Sequence, residues 1–599
     1  DIGDRRGEGR TLNNLGEVNR LLGNYPTALD YYQQSLVISR EIGDRAVEAA
    51  TLGNMGRLSK AQGQLEIAII FFKQSINQYE SIRESNRTLE TDLQQSYTTT
   101  VESTYRQLAD LLIQQGRVLE AQRVLDLLKL EEVREFTRTT RAEWTTNGIQ
   151  LSPLEQEIAD AHHGLIALGQ KIYTCEQEGC AAAELNNYIR DQQRLVADYN
   201  QQVTAFETKI RDNRYDDDFF YNPNNLSDSA RDIVETPGTM LVYPFVLEDK
   251  LWLLWTTTGG IVGKVEVDVP QGQLSETVRQ FREQLQQPGV IPLAQLQATS
   301  NQLYSWLIQP LEADLKTHEV TKLVFAQDRV TRYIPMAALY DGKQYLVENY
   351  TLSTILSAEW TDTSDRLASV ADSPILGLGL SRAVPGFTAL PNVLNELNTI
   401  IQETDDPGIY PGRVFTDAAF ESDTLWQNAR NYRVLHLATH AKFEPGALEN
   451  SFLVLGNGSR LRISEIETIG RQLRNVHLVV LSACETALGG QDADGREIAG
   501  LSAYFLAPNR AKSVLASLWQ VSDASTSLLM QQFYTRLAND QVSKADALRR
   551  VQMSFIQQED EMSSLLTRGG FEPVNTTQEA VGLSHPYYWA PFILIGNSR

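Results

Sequence analysis

"VVLSACETALGG", residues 479–490, holds the reading on which the fold turns: an unbroken apolar run up to Leu481 gives way to small residues around Cys484. A short run that is apolar at every position fits a strand buried on both faces, as central strands of parallel sheets are. Neighbouring segments repeat the pattern. "PILGLGL", "YRVLHLATH" and "KSVLASLW" are apolar strands separated by the helical stretches "LNELNTIIQE", "DTLWQNAR", "EIAGLSAYFLA" and "ASTSLLMQQFYTRL", with "FILIG" last. The alternation predicts a parallel α/β sheet covered by helices on both faces over residues 371–599. Residues 226–370 carry a first half of similar texture, with "TMLVYPFV", "KLWLLWTTT", "GKVEVDV", the helical "LSETVRQFREQL" and "KLVFA".

In doubly wound sheets, function gathers beyond the carboxyl ends of the strands. "RVLHLATH" ends at His440 and "LVVLSAC" at Cys484, so neighbouring strands would bring an imidazole and a thiol to one edge. A thiol becomes a strong nucleophile only as thiolate, which an adjacent histidine can generate. His436 shares a strand face with His440 but lies about 13 Å from it at strand rise, too far to share a metal. It reads as a core residue, and His318, His477 and His585 lack a strand-tip setting. Most cysteines are simply small hydrophobes. From residues alone, a dyad and two unrelated buried side chains both remain open.

The N-terminal part is built differently. "LNNLGEVNRLLGNYPTALDYYQQSL" recurs as "LGNMGRLSKAQGQLEIAIIFFKQSI", with Gly16 and Gly23 matching Gly56 and Gly63 at an offset of 40 residues. "LADLLIQQGRVLEAQRVLDLL" is a third copy, with Gly116 and Ala121 in the equivalent places. This pattern resembles the tetratricopeptide repeat over residues 1–130, an all-α superhelix whose concave face commonly takes a protein partner. "DIGDRRGEGR" shows neither initiator Met nor signal peptide, so the array is expected to begin before residue 1. Residues 131–225 read as a long helical hairpin bridging two domains, then a linker at "YDDDFFYNPNNLSDSA". His162 and His163, adjacent on a helix, cannot chelate one metal and read as packing or surface residues.

A net charge of −23 over 599 residues argues against nucleic-acid binding. No apolar run approaches the roughly 20 residues of a membrane helix. Three cysteines give no disulfide framework, which favours a reducing, cytoplasmic setting. Cys175 and Cys180 in "TCEQEGC" are close enough to pair or share a metal. No second Cys/His pair accompanies them, so a loop between helices is expected.

"VLHLATHA", "LVVLSACETALGG", "SVLASLWQVSDAST" and the final "HPYYWAPFILIG" resemble the CHAT family, caspase-like cysteine peptidases often fused to tetratricopeptide repeats. "LVFAQDRVTRYIPMAAL" and "LVENYTLSTILSAE" extend the match to residues 320–599. The resemblance implies a caspase-hemoglobinase fold and a cysteine endopeptidase acting on protein or peptide substrates. It makes Cys484 the nucleophile, His440 the general acid/base, and the backbone N–H groups of Ala441 and Cys484 the oxyanion hole. The family usually has glycine where this chain has Ala441. Neither metal nor cofactor is implied, and the "DADG" spacing is a weak calcium signal without a distal Glu.

Many relatives cut after Arg or Lys through an acidic pocket, for which Asp492, Asp494 and Glu485 are candidates. Arg382, where caspases hold a basic residue, leaves cleavage after Asp open. A partner on the concave face of the repeats is expected to regulate the peptidase. The competing expectations are a non-catalytic interaction scaffold, or a protease subunit of a larger effector complex such as an RNA-guided assembly.

Overall fold

The computed structural model describes residues 4–85, 91–137, 148–212, 228–404, 407–443, 451–462, 465, 470–482, 484–486, 495, 504–506, 510–557 and 582–599. The chain divides into two compact units, Asp1–Leu128 with Thr140–Asn225, and Lys129–Thr139 with Leu226–Arg599.

The chain opens with three helix pairs: α1 (Arg5–Leu21) and α2 (Tyr25–Glu41), α3 (Arg45–Ala61) and α4 (Leu65–Ser85), α5 (Thr91–Gln114) and α6 (Val118–Thr137), of which α6 belongs to the first unit up to Leu128. The repeated glycines have two separate jobs. Gly23, Gly63 and Gly116 take left-handed φ of +79°, +79° and +81° at the turns inside each pair. Gly16 and Gly56 instead let the paired helix approach closely. A Cβ on Gly56 would stand 2.9 Å from the Phe72 ring, and one on Gly16 would stand 2.5 Å from Tyr32. Phe72 is fully buried, so Gly56→Ala overpacks the site and is expected to cost about 1–3 kcal/mol. A thermal melt should show the loss as a lower first transition.

Helices α7 (Pro153–Glu178) and α8 (Ala182–Asp212) pack against each other, and they belong to the same compact unit as the repeats. Ile158, Ala159 and Ile166 of α7, with Val203, Phe206 and Ile210 of α8, share one core with Tyr32, Leu36 and Phe71. His162 is buried, its ring 4.9 Å from Phe71 and 5.8 Å from Tyr199, whereas His163 is exposed. Cys175 and Cys180 are joined in a disulfide across Gly179, which ends α7 in the left-handed conformation. The two cysteines were expected as a plain loop. Pairing follows because the αL turn folds the chain back and brings the residues together.

An ionic cluster ties α7 to the repeats. Lys73 of α4 meets Glu155 of α7 at 2.9 Å and Glu120 of α6 at 2.8 Å. Arg117 reaches Glu155 at 2.6 Å, Glu120 at 2.8 Å and Glu66 at 2.9 Å. Lys73 and Glu155 are each only 1 % exposed. Glu155 also closes a capping box with Ser152, so one carboxylate both starts α7 and anchors it.

The second unit is built on a twelve-stranded sheet and a four-stranded one. The large sheet uses β1 (Thr239–Val246), β2 (Leu251–Thr257), β3 (Ile261–Val267), β4 (Lys322–Phe325), β5 (Thr351–Thr354), β6 (Ile375–Gly379), β7 (Ile401–Gln402), β8 (Tyr410–Thr416), β9 (Val434–Ala438), β13 (Leu478–Leu481), β15 (Ser513–Ser517) and β16 (Phe592–Gly596). The small one uses β10 (Ala441–Phe443), β11 (Phe452–Val454), β12 (Arg460–Arg462) and β14 (Cys484–Thr486). The large sheet runs β3-β2-β1-β4-β5-β16-β15-β13-β9-β6-β8-β7, so residues 226–370 and 371–599 share one continuous sheet.

Its pairings from β15 through β13, β9 and β6 to β8 are parallel, as the apolar runs predict. Leu478 and Val480 enter one core cluster while Val479 and Leu481 enter another, as burial on both faces requires. Two parts depart from the parallel expectation. β16 is antiparallel to β15 and parallel to β5, and β1, β2 and β3 form an antiparallel meander. Periodicity reports that a strand is buried, not which way it runs. Four helices flanking the sheet matter below: α9 (Val393–Ile400), α10 (Ser422–Asn428), α11 (Asp523–Asn539) and α12 (Lys544–Gln557).

Candidate active site

β9 and β13 are adjacent and parallel, with Leu437 opposite Leu481. Beyond them the chain steps from the large sheet into the small one, where Ala441 of β10 lies opposite Cys484 of β14. The step takes four residues on the histidine side and three on the cysteine side. His440 is therefore the residue just before the register partner of Cys484, and both lie at the junction of the sheets. Adjacent strands are about 4.8 Å apart, so the two backbones are next-door neighbours. The backbone of Cys484 is described, whereas its side chain, that of Glu485, and all of Asp492 and Asp494 lie outside the described residues.

His440 is 8 % exposed. Its Nε2 lies 2.8 Å from the carbonyl oxygen of Thr388. A carbonyl only accepts, so Nε2 carries the proton and Nδ1 is left as the basic nitrogen. The Phe387 ring stands 5.2 Å from the imidazole. Local sequence explains this arrangement. "VPGF", Val384–Phe387, closes a tight turn in which Gly386 takes φ +87°, and Phe387 N–H donates to the Val384 carbonyl at 2.9 Å. The turn delivers Phe387 and the Thr388 carbonyl to the ring. The His440 carbonyl accepts from Val454 N–H at 2.9 Å, fixing the backbone on β11.

The strand in "RVLHLATH" ends at Ala438, two residues earlier than the sequence implies, and His440 lies beyond it. His436 is fully buried and bonds Glu396 at 2.7 Å and Tyr534 at 3.0 Å, a core residue as expected. Ala441 lies in a strand rather than at a left-handed turn, so alanine in place of glycine carries no backbone strain. His477 immediately precedes β13 and lies against Lys544 of α12, His318 packs on Trp255, and His585 caps a helical turn. Among the described residues no group of three His, Cys, Asp or Glu side chains could hold a metal.

Arg382 follows β6 on the same edge, largely exposed, with its Nε 3.4 Å from Asp417. Asp417 also accepts from the N–H and Oγ of Ser381 and the N–H of Arg382 at 2.9, 2.8 and 3.2 Å. Burial raises its pKa, but these bonds outweigh that and hold it below the usual carboxylate range.

Beside Ser482, two residues before Cys484, is a cavity of about 20 Å³ lined by Leu390, Glu396, Trp519, Val521 and Asp523. Burial pushes the Asp523 carboxyl up, helped by Glu396 and opposed by bonds from Asn392 and by His440. A larger groove of about 550 Å³ lies between α10 and β12, lined by Trp426, Leu455, Arg460 and Leu461. It includes none of the residues at the sheet junction. Sequence reading missed Thr388, Glu396, Asp417 and Asp523. The Pro-Gly pair was the available signal for the first. Asp523 in "VSDAST" reads as an ordinary helix start after the Ser522 cap.

A parallel-stranded α/β domain, with a histidine and a cysteine at neighbouring strand ends, is the caspase-like class of architecture. A family model described as the CHAT domain matches residues 297–597, just over half of the chain. The chain belongs to the CHAT family, a caspase-like, peptidase-related family. A second model, described as a tetratricopeptide repeat, matches residues 8–81, and such repeats mediate protein–protein interaction. No curated protein matches the chain. Among the described residues no helix is long and apolar enough to cross a membrane.

Proposed function

We propose that this chain is a cysteine endopeptidase working through Cys484 and His440. The observation that carries the reading is the register that places His440 beside the backbone of Cys484, with Nε2 held by Thr388 so that Nδ1 is free to act as base. In this mechanism Nδ1 takes the thiol proton, and the thiolate attacks the scissile carbonyl carbon to form a tetrahedral oxyanion. The backbone N–H groups of Ala441 and Cys484 stabilise that charge. The imidazolium then gives its proton to the leaving amine, which departs as a thioester forms. Water, deprotonated by Nδ1, hydrolyses the thioester and frees the thiol.

Cleavage after Arg or Lys is the preferred specificity in this reading. In support, two carboxylates, Glu396 bonded to His436 and Asp523 bonded to Asn392, line the cavity beside Ser482, whereas Arg382 is not among its lining residues and is paired with Asp417. The cavity holds about one water, too little for an arginine side chain. The peptidase is accordingly latent until a partner on the repeats favours an open form.

Profiling a mixed peptide library, with and without candidate activating proteins, is expected to give activator-dependent cleavage after Arg and Lys. Cleavage after Asp would overturn the specificity, and cleavage that persists in Cys484→Ala would overturn the chemistry.

A further inference from the structure

The Thr388 carbonyl can hold His440 only if the loop that carries it is itself fixed. That loop, residues 381–392, is gripped at both ends by carboxylates from elsewhere in the chain. At its start Asp417 accepts three hydrogen bonds, from Ser381 N–H, Ser381 Oγ and Arg382 N–H. Asp417 adopts φ +49°, a left-handed conformation that Asp tolerates better than most residues. A Cβ on Gly456 would collide with the Asp417 carbonyl, so that position is closely packed too. At the loop's end Oδ2 of Asp523 accepts from the Asn392 backbone N–H at 2.7 Å and from Asn392 Nδ2 at 2.9 Å. Between the grips, Leu390 N–H donates to the Ser381 carbonyl at 3.1 Å. Leu380, Val384 and Phe387 pack with Phe452 and Val454.

Asp523 opens α11 and Asn392 immediately precedes α9, so the grip links two helix starts. The helices are packed together through Val393, Leu397, Leu529 and Phe533 in one core. Loop position is thereby referred to rigid elements rather than to the loop's own turn.

We propose that Asp523, with Asp417 at the opposite end, is a positioning residue that acts through the 381–392 loop to hold the Thr388 carbonyl on His440 Nε2. Losing the Asp523 grip frees the loop's end, releases the Thr388 carbonyl, and lets the imidazole turn away from the geometry that activates Cys484. The proposal rests on the Cys484–His440 reading. The charged and titratable groups around the loop, among the described side chains, are His440 on Thr388, Asp523 on α11, Glu396 with His436, and the Asp417–Arg382 pair.

The test needs no substrate. Cys175 and Cys180 are bonded to each other and the chain has three cysteines, so without reductant Cys484 is the only free thiol. Its alkylation by iodoacetamide should be followed against pH in the full chain, in Asp523→Ala, in Asn392→Ala and in His440→Ala, with a thermal melt of each. Asn392→Ala removes one side-chain bond and leaves the backbone one, so it remains informative if Asp523→Ala folds poorly. At pH about 6 the Asp523→Ala rate is expected to fall roughly tenfold to a hundredfold, toward that of His440→Ala, with a smaller fall for Asn392→Ala. At pH about 9.5, above the ordinary thiol pKa of about 8.5, all four should agree within about twofold.

Folded grip variants whose profiles superimpose on the parent, while His440→Ala loses its acidic limb, would overturn the positioning role and leave the dyad standing. A His440→Ala profile identical to the parent would remove the dyad and the proposal together.

Discussion

Cys484→Ala and His440→Ala should each lower kcat/KM of the activated protein by about 10³-fold or more. The double variant should be no worse than the weaker single one. The reason is physical rather than arithmetical: the imidazole has nothing to activate once the thiol is gone, and the thiol stays protonated once the imidazole is gone. Two residues that act as one unit show this non-additivity, whereas two unrelated buried residues would not. Steady-state kinetics on the best library peptide, with all three variants and matched melting curves, separates the cases. Independent multiplicative losses would refute the dyad even if each single variant were impaired.

The second large effect is in the repeats. Lys73→Met leaves Glu155, 1 % exposed, facing a carboxylate cluster with one cation fewer. Removing one partner of a buried pair typically costs about 3–5 kcal/mol, here in the unit formed by α4, α6 and α7. Hydrogen exchange over Leu65–Ser85 and Pro153–Glu178 should accelerate accordingly, with the sheet unit unaffected. Unchanged protection in both helices would show that the cluster contributes nothing.

The same cluster sets an acid limit. Burial raises Glu120 and Glu155, but Arg117 and then Lys73 outweigh it, leaving Glu120 at about 2 and Glu155 below its ordinary value. A carboxylate lowered by folding stabilises the protein above its unfolded pKa, near 4.5, and that contribution is lost as pH falls toward 2. Glu120 is a quarter exposed, so solvent screens part of its share. Glu66 has the opposite sign. Burial raises it despite Arg117, so its charge costs stability above its unfolded pKa and acid relieves that cost. Two lowered groups against one raised group predict net acid destabilisation of α4 and α7 between about pH 4.5 and 2, readable by the same exchange experiment.

How much of this was legible in the sequence depends on the range of the signal. Gly16, Gly23, Gly56 and Gly63 announce the repeats because turn conformation and close helix approach are local demands. The α7–α8 hairpin is legible as helices, but an amphipathic stripe does not name the surface that covers it, and Ile158 and Phe206 turn out to be repeat core. Cys484 and His440 stand out because apolar strands stop near them. Thr388 is invisible for a different reason: it contributes a backbone carbonyl, which every residue has. Asp417 and Asp523 meet the loop at separations of 36 and 131 residues, and no local pattern encodes such a meeting.

The position of β16 has a bearing on how the protein is made. Phe592–Gly596 comes later in the chain than every other strand of the large sheet, yet it lies between β5 and β15. During synthesis the β3-to-β5 part and the β15-to-β7 part can each form and can meet through side chains such as Lys322 and Thr351 on Asp546, but their sheet edges are not bridged by a strand until this segment leaves the ribosome. Until then both waiting edges are exposed and can pair wrongly. A chain interrupted shortly before Phe592 would lose its keystone rather than its fringe, and the nascent chain depends on protection of those two edges until translation reaches it.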